Sequence, residues 1–159
     1  MSTHGFSIRI FVPGAAFEGL RVIEKSNWVG LGLVCPRATF NAAKKRPEFG
    51  RTGVYVLVGP GIDSDLQQIY VGEGDPVLDR LESHALKKDF WTSLFVFTSK
   101  DTNLNKAHVQ YLEARLLELA REARRCTLDN KNEPQPPSLS EADQADTYKP
   151  VALHSFREL

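Results

Sequence analysis

Between Gly53 and Gly74 the chain carries two strand-forming runs separated by a breaker-rich connection, and this stretch limits what the rest can build around it. Val54, Tyr55, Val56, Leu57 and Val58 form the first run, and Ile69, Tyr70 and Val71 form the second. β-branched and aromatic side chains of this kind suit a pleated, packed surface, whereas the Gly, Pro, Asp and Ser residues between them suit a loop. The stretch therefore reads as a β-hairpin with a long connection. Alternation along each strand sends Val54 and Ile69 to one face and Tyr55 and Tyr70 to the other. Two phenols are expected side by side at a sheet surface.

Before the hairpin, Phe6, Ile8, Ile10 and Val12 alternate with Ser7, Arg9 and Phe11, which predicts a strand over residues 5–12, ended by Pro13-Gly14. Residues 19–26 are expected to return antiparallel to it, and the apolar, glycine-rich residues 27–34 suit a third extended piece or a tight loop, so a β-meander precedes the hairpin. Residues 38–46 are compatible with a helix stopped by Pro47. After the hairpin, Asp75-Pro76 has the form of an N-cap followed by proline at the first helical position, predicting a helix from Val77 to Lys88. Val77, Leu81 and His84 or Ala85 share one face of it. Phe90 to Thr98 reads as a buried strand, the third in the sheet of the two tyrosines.

Leu104 to Arg125 is the clearest helix, with Asn103 or Asn105 able to cap it and Leu112, Leu116, Leu119, Ala120 and Ala123 along one face. Glu113 sits at the border of that stripe, where a carboxylate needs a partner because burying it alone is costly. Beyond Cys126 the Pro-rich, polar residues read as a loop, and Ser140-x-x-Asp143 as a cap for a short helix. The end, residues 151–159, has enough apolar content to begin a further segment, as in one part of a longer protein.

Gly53-Val54-Tyr55 and Tyr70-Val71-Gly72, followed by Arg80 on the next helix, His84 one turn later and Glu113 in a long helix after a third strand, resemble the motif set of the GIY-YIG nucleases. Val replaces Ile in both triplets. The resemblance runs from about Gly53 to Asn130, half of the chain, with its positions in family order. It implies an α/β (α+β) fold: a small three-stranded antiparallel sheet flanked by helices, here preceded by the β-meander. The corresponding division is residues 1–50 as a β-rich extension with a basic helix, 51–130 as the nuclease-like domain and 131–159 as an acidic, Pro-containing tail.

The chemistry implied is metal-dependent phosphodiester hydrolysis in DNA. It requires an activated water, neutralisation of charge growing on the phosphate and help for the leaving oxygen. By resemblance, Glu113 holds Mg2+ or Mn2+, and Arg80 clamps the scissile phosphate, for which a guanidinium suits bidentate contact. Tyr55 is the base or water-orienting group, Tyr70 a second phosphate or water contact, and His84 an assistant to tyrosine, as in restriction-enzyme members. The late asparagine of the family has two candidates, Asn130 and Asn132, with Asn130 favoured. One position departs from the pattern: the residue three after the second tyrosine, lysine in the repair-nuclease branch, is Glu73 here.

Lys plus Arg and Asp plus Glu number 20 each, so no global charge draws a polyanion and any attraction is local. The local candidate is the run from Arg37 to Arg51, where Lys44, Lys45, Arg46 and Arg51 with Arg37 face a single acid, Glu48; it reads either as a phosphate-contacting patch or as a solvated helix face. Cys35 and Cys126 show neither zinc spacing nor a disulfide framework, and no apolar run approaches a membrane span, which together suggest a reducing, cytoplasmic setting. Each site residue also has a plain reading. The tyrosines pack, His84 lies on a helix surface, Arg80 pairs with Glu82 or Asp79, and Glu113 pairs with Lys106 or Arg115. A non-catalytic module binding nucleic acid or a protein partner is therefore the alternative to an endonuclease, and a small-molecule hydrolase a weaker third. Specificity in modules of this size usually comes from another domain, C-terminal or separate.

Overall fold

The structure, a computed structural model, describes residues 5–14, 16, 18–131 and 133–148. Seven strands form one mixed sheet: β1 (Ile8–Phe11), β2 (Arg21–Lys25), β3 (Gly30–Pro36), β4 (Gly53–Gly59), β5 (Gln67–Gly74), β6 (Ser93–Ser99) and β7 (Cys126–Leu128). Their order is β1-β2-β3-β6-β4-β5-β7, with every pairing antiparallel except β5 with β7. The meander thus joins the hairpin through β6, which lies between β3 and β4. Four α-helices accompany the described sheet: α1 (Phe40–Ala43), α2 (Val77–His84), α3 (Lys106–Ala123) and α4 (Glu141–Tyr148). The chain is a mixed α/β protein.

β4 lies inside the sheet with apolar layers on both faces, which is why its sequence is continuously apolar instead of alternating. One layer joins Leu33, Tyr55, Leu57 and Leu94 to Val77 and Leu81 of α2 and to Phe40, Phe49 and Trp91. The other joins Val54, Val56 and Val71 to Val109, Leu112, Leu116 and Leu117 of α3. Each such leucine contributes about 1.5–3 kcal/mol by leaving water. Trp91, buried just before β6, donates its indole N–H to Ala85 O at 2.7 Å, and the Arg37 guanidinium lies 4.5 Å from its ring centre.

Several boundaries differ from the sequence reading. β1 covers only Ile8–Phe11 of the expected 5–12. The basic helix over 38–46 is cut to the single α turn of α1 between 3-10 turns at Arg37–Thr39 and Pro47–Gly50, because only Phe40 and Ala43 reach the core and prolines stand on both sides. Pro76 occupies the N-cap of α2 instead of its first turn, and the Asp75 carboxylate takes the Thr52 hydroxyl at 2.6 Å instead of capping. α2 ends at His84 and continues to Lys87 as a 3-10 turn.

α3 is capped by Asn105, whose side chain accepts from the His108 amide while the His108 ring accepts from the Asn105 amide. Its buried face is Val109, Leu112, Leu116 and Leu117; Leu119 and Ala120 are half-buried and Ala123 exposed, so the expected stripe is displaced toward the N-terminus. β7 was not foreseen. It adds to the outer edge of β5 at Gln67–Ile69. Ser140 caps α4 as expected, its hydroxyl accepting the Asp143 amide. Cys35 and Cys126 are free thiols. Among the described residues no helix is long and apolar enough to cross a membrane. Asn132 and the apolar end at 151–159 lie outside the described residues.

Candidate active site

Antiparallel pairing sets Tyr55 opposite Gly72 and Leu57 opposite Tyr70, which puts both tyrosines on the α2 side of the sheet as neighbours on a diagonal. Their ring centres are 6.2 Å apart. The shared face was foreseen, but the expectation that it forms an open sheet surface is not met. Tyr55 has no exposed surface because α2 and the Phe40–Trp91 layer cover that face, while Tyr70 is half-buried. Gly72 makes room for Tyr55, since a Cβ there would stand 2.4 Å from the phenol oxygen. The hydroxyl so placed is buried and makes no hydrogen bond of ordinary length among the described residues, with the Tyr70 side chain near enough to act on it.

α2 leaves β5 immediately after Gly74, where an added Cβ would meet Arg80 Cβ at 2.9 Å and the Pro76–Val77 backbone at 2.8 Å. This close departure brings Arg80 over the end of β5. α3 covers the opposite face, and among the described residues β7 pairs with β5 only at Gln67–Ile69. The Tyr55 phenol feels both the Arg80 and the Glu113 charge. Burial, the neighbouring Tyr70 and Glu113 hold it far above the usual phenol range, with Arg80 opposing. Burial and the Glu73 charge push the Glu113 carboxyl up to about 7, with Arg80 and Lys106 opposing. Slight burial and the cations Arg80, Lys87 and Lys88 lower His84, which favours its neutral, proton-accepting form.

Tyr55 and Tyr70 are thus neighbours, the charges of Arg80 and Glu113 reach the Tyr55 phenol, and the Arg80 charge also reaches His84. Asn130 sits against Val71 of β5. Its carboxamide donates to Val71 O at 2.8 Å and accepts from Val71 N at 3.0 Å, continuing the β5–β7 ladder with a side chain and bracing the residue between Tyr70 and Gly72. Among the residues of the plain readings, Glu82 pairs with Lys44, Lys106 with Glu73, and Arg115 with Glu118.

The basic run is largely engaged with the protein itself. Lys44 reaches Glu82 at 2.8 Å, Arg46 binds Glu48 with two N–H groups, and Arg51 donates to Ser99 O at 2.7 Å; Lys45 is exposed. The partners of two further cations were not foreseen. Lys88 lies 4.3 Å from the Tyr70 ring centre while bound to Asp129, and Lys106, opening α3, holds Glu73. Neither separation carries a sequence signal. An open cleft of about 310 Å³ adjoins the cluster, lined by Glu73, Asp75, Asp79, Arg80, Ser83 and Lys106.

Among the described residues no three His, Cys, Asp or Glu side chains converge as a metal cage. The donors present are of another kind: a partly buried carboxyl, Glu113, with a second carboxylate close enough to shift it and an orphaned buried phenol nearby. That set fits an ion such as magnesium, which keeps several waters and takes one or two carboxylates. A scan against protein-family models, a search of the curated proteins and a search of the solved structures each found no match to this chain.

Proposed function

We propose that this protein is a GIY-YIG-type endonuclease hydrolysing phosphodiester bonds in DNA with Mg2+ or Mn2+. In this reading β4, β5 and β6 with α2 and α3 are the three-stranded nuclease unit, and β1–β3 extend its sheet beyond β6. The observation that carries it is that the charges of Arg80 and Glu113 both act on the Tyr55 phenol, whose hydroxyl is buried and unpartnered. A packing tyrosine gains nothing from an orphaned hydroxyl, which costs about 1–3 kcal/mol.

Arg80, exposed beside the cleft, binds the scissile phosphate. Tyr55 orients the attacking water, and Tyr70, its ring against the Lys88 ammonium, contacts the water or the phosphate. Neutral His84, one turn from Arg80, takes a proton from the tyrosine–water pair. Glu113 would hold the divalent ion, which when bound supplies charge neutralisation at the phosphate and the leaving oxygen. Lys45 is the member of the basic run left to meet the DNA backbone directly.

A second reading, a non-catalytic module binding nucleic acid or a protein, is favoured by one observation: Lys44, Arg46 and Arg51 already have partners within the chain. Nicking of supercoiled plasmid with magnesium and with manganese, comparing the protein with Glu113→Ala, decides between them. Metal-dependent nicking lost in the variant supports the endonuclease. DNA retained in a fluorescence-anisotropy titration without nicking supports the module.

A further inference from the structure

A second cleft, of about 410 Å³, lies at the meander end of the sheet, lined by Arg9, Phe11, Glu24, Arg46, Arg51 and Lys100 among others. Strand register ties it to the candidate active site. Arg9, Glu24, Leu31, Thr98, Gly53 and Gly74 stand opposite one another in turn across β1, β2, β3, β6, β4 and β5, so they form one row on the face that carries Tyr55. Arg9 opens that row in the second cleft, and Gly74 closes it in the cleft beside Arg80. Five strand spacings separate the two ends, about 24 Å. Arg51 and Thr52 join the clefts. The Arg51 carbonyl accepts the Val77 amide of α2 at 2.9 Å, its guanidinium lines the second cleft while donating to Ser99 O at 2.7 Å, and the Thr52 hydroxyl holds Asp75 of the first.

Four cations line the second cleft, Arg9, Arg46, Arg51 and Lys100, against two carboxylates, Glu24 and Glu48. Arg46 is occupied by Glu48, which takes two of its N–H groups. Arg9 and Lys100 are held loosely: both approach the same Glu24 oxygen, from 3.7 and 3.5 Å, too far for hydrogen bonds of ordinary length, and Arg9 is mostly exposed. Exposed pairs of this kind are weak, so both cations can turn to a phosphate at little cost. The Phe11 ring, exposed beside them, offers a sugar or base a surface to lie on. We propose that this cleft is a second seat for the nucleic-acid backbone, in which Arg9 and Lys100 hold phosphates flanking the one bound at Arg80. The proposal rests on the endonuclease reading above and adds the path of the DNA, from Arg80 along the ends of the strands, past Arg51, to β1. About 24 Å corresponds to roughly seven nucleotide steps of one strand. The chain has no net charge, and this local excess supplies the attraction that the whole molecule lacks.

The test is binding of fluorescein-labelled DNA duplexes of about 6 to about 20 base pairs to the full chain, followed by anisotropy over a range of salt without divalent ions. The double variant Arg9→Gln with Lys100→Gln, and separately Glu24→Gln, are compared with the parent, each shown to be folded by circular dichroism. Parent affinity should rise in a step once the duplex exceeds about eight base pairs and engages both clefts. The double variant should lack the step, bind the longest duplex about tenfold more weakly, and show a logarithmic salt slope shallower by about one to two. Glu24→Gln, which releases both cations, should tighten binding. Parent-like affinity and slope in the double variant, or a loss equal for the shortest and the longest duplex, overturns the second seat. Nicking that still requires metal and Glu113 then leaves the endonuclease reading standing. A parent chain that binds no duplex overturns the proposal together with the reading beneath it.

Discussion

The ring of Tyr55 on β4 lies across Gly72 on β5, so close that a Cβ at the glycine would be 2.4 Å from both Cζ and the phenol oxygen. The glycine of the second triplet is thus the seat of the tyrosine of the first. Gly72→Ala must push the ring out of a fully packed layer, at a cost of about 1–3 kcal/mol from overpacking. The urea midpoint should fall accordingly, and metal-dependent nicking should fall with it. An unchanged midpoint would show that the two residues do not touch.

Tyr55→Phe separates packing from chemistry. The ring keeps its place, and the variant loses only a buried hydroxyl without a partner, so stability should stay level or rise by about 1 kcal/mol. Nicking should drop roughly 100-fold or more if that hydroxyl acts on the water. A loss of stability in urea melts would mean that the hydroxyl is bonded in solution and serves the fold.

Asn130 works through β5. Replacing it by alanine removes both hydrogen bonds to Val71 and leaves that backbone group to water, a loss of about 1–3 kcal/mol for the pair. Hydrogen exchange read residue by residue is the informative measurement. The Val71 amide should exchange faster in Asn130→Ala, while amides of β3 and β6 stay as protected as in the parent. Acceleration spread evenly over the sheet would contradict a local brace.

Much of the scaffold was legible because its signals are local. Alternation in β1, the glycine and proline punctuation around the hairpin, and the Asn105 cap of α3 each act over a few residues. What escaped depends on distant chain. Cys126-Thr127-Leu128 has no strand pattern of its own and becomes β7 because β5 offers an open ladder. The run at 38–46 has helical composition, but its place between two prolines and its two core contacts allow one turn. Tyr55 was assigned the right face of the sheet, but its burial follows from α2, Phe40 and Trp91 closing over that face. In the candidate site the residue types were visible, and their partners were not. Lys106 reaches Glu73 across 33 residues, and Asn130 reaches Val71 across 59.

Glu113 should make both stability and ion binding depend on pH with opposite consequences. Burial and the Glu73 charge raise its carboxyl from 4.5, the value in an open chain, to about 7. Between those two values the folded protein holds a proton that the unfolded chain has released, so protonation favours folding. That contribution is complete below about 4.5 and disappears as the pH rises through about 7. Glu113→Gln, which cannot ionise, isolates it: the stability of the parent relative to the variant should decline across this window and level off above it. Ion binding needs the carboxylate, so the affinity for Mn2+ should climb across the same window. Urea midpoints and Mn2+ affinities measured side by side over the range give both slopes. A stability difference that rises with pH would show that Glu113 is held as a carboxylate by a cation in the folded state and would reverse the assignment of its environment.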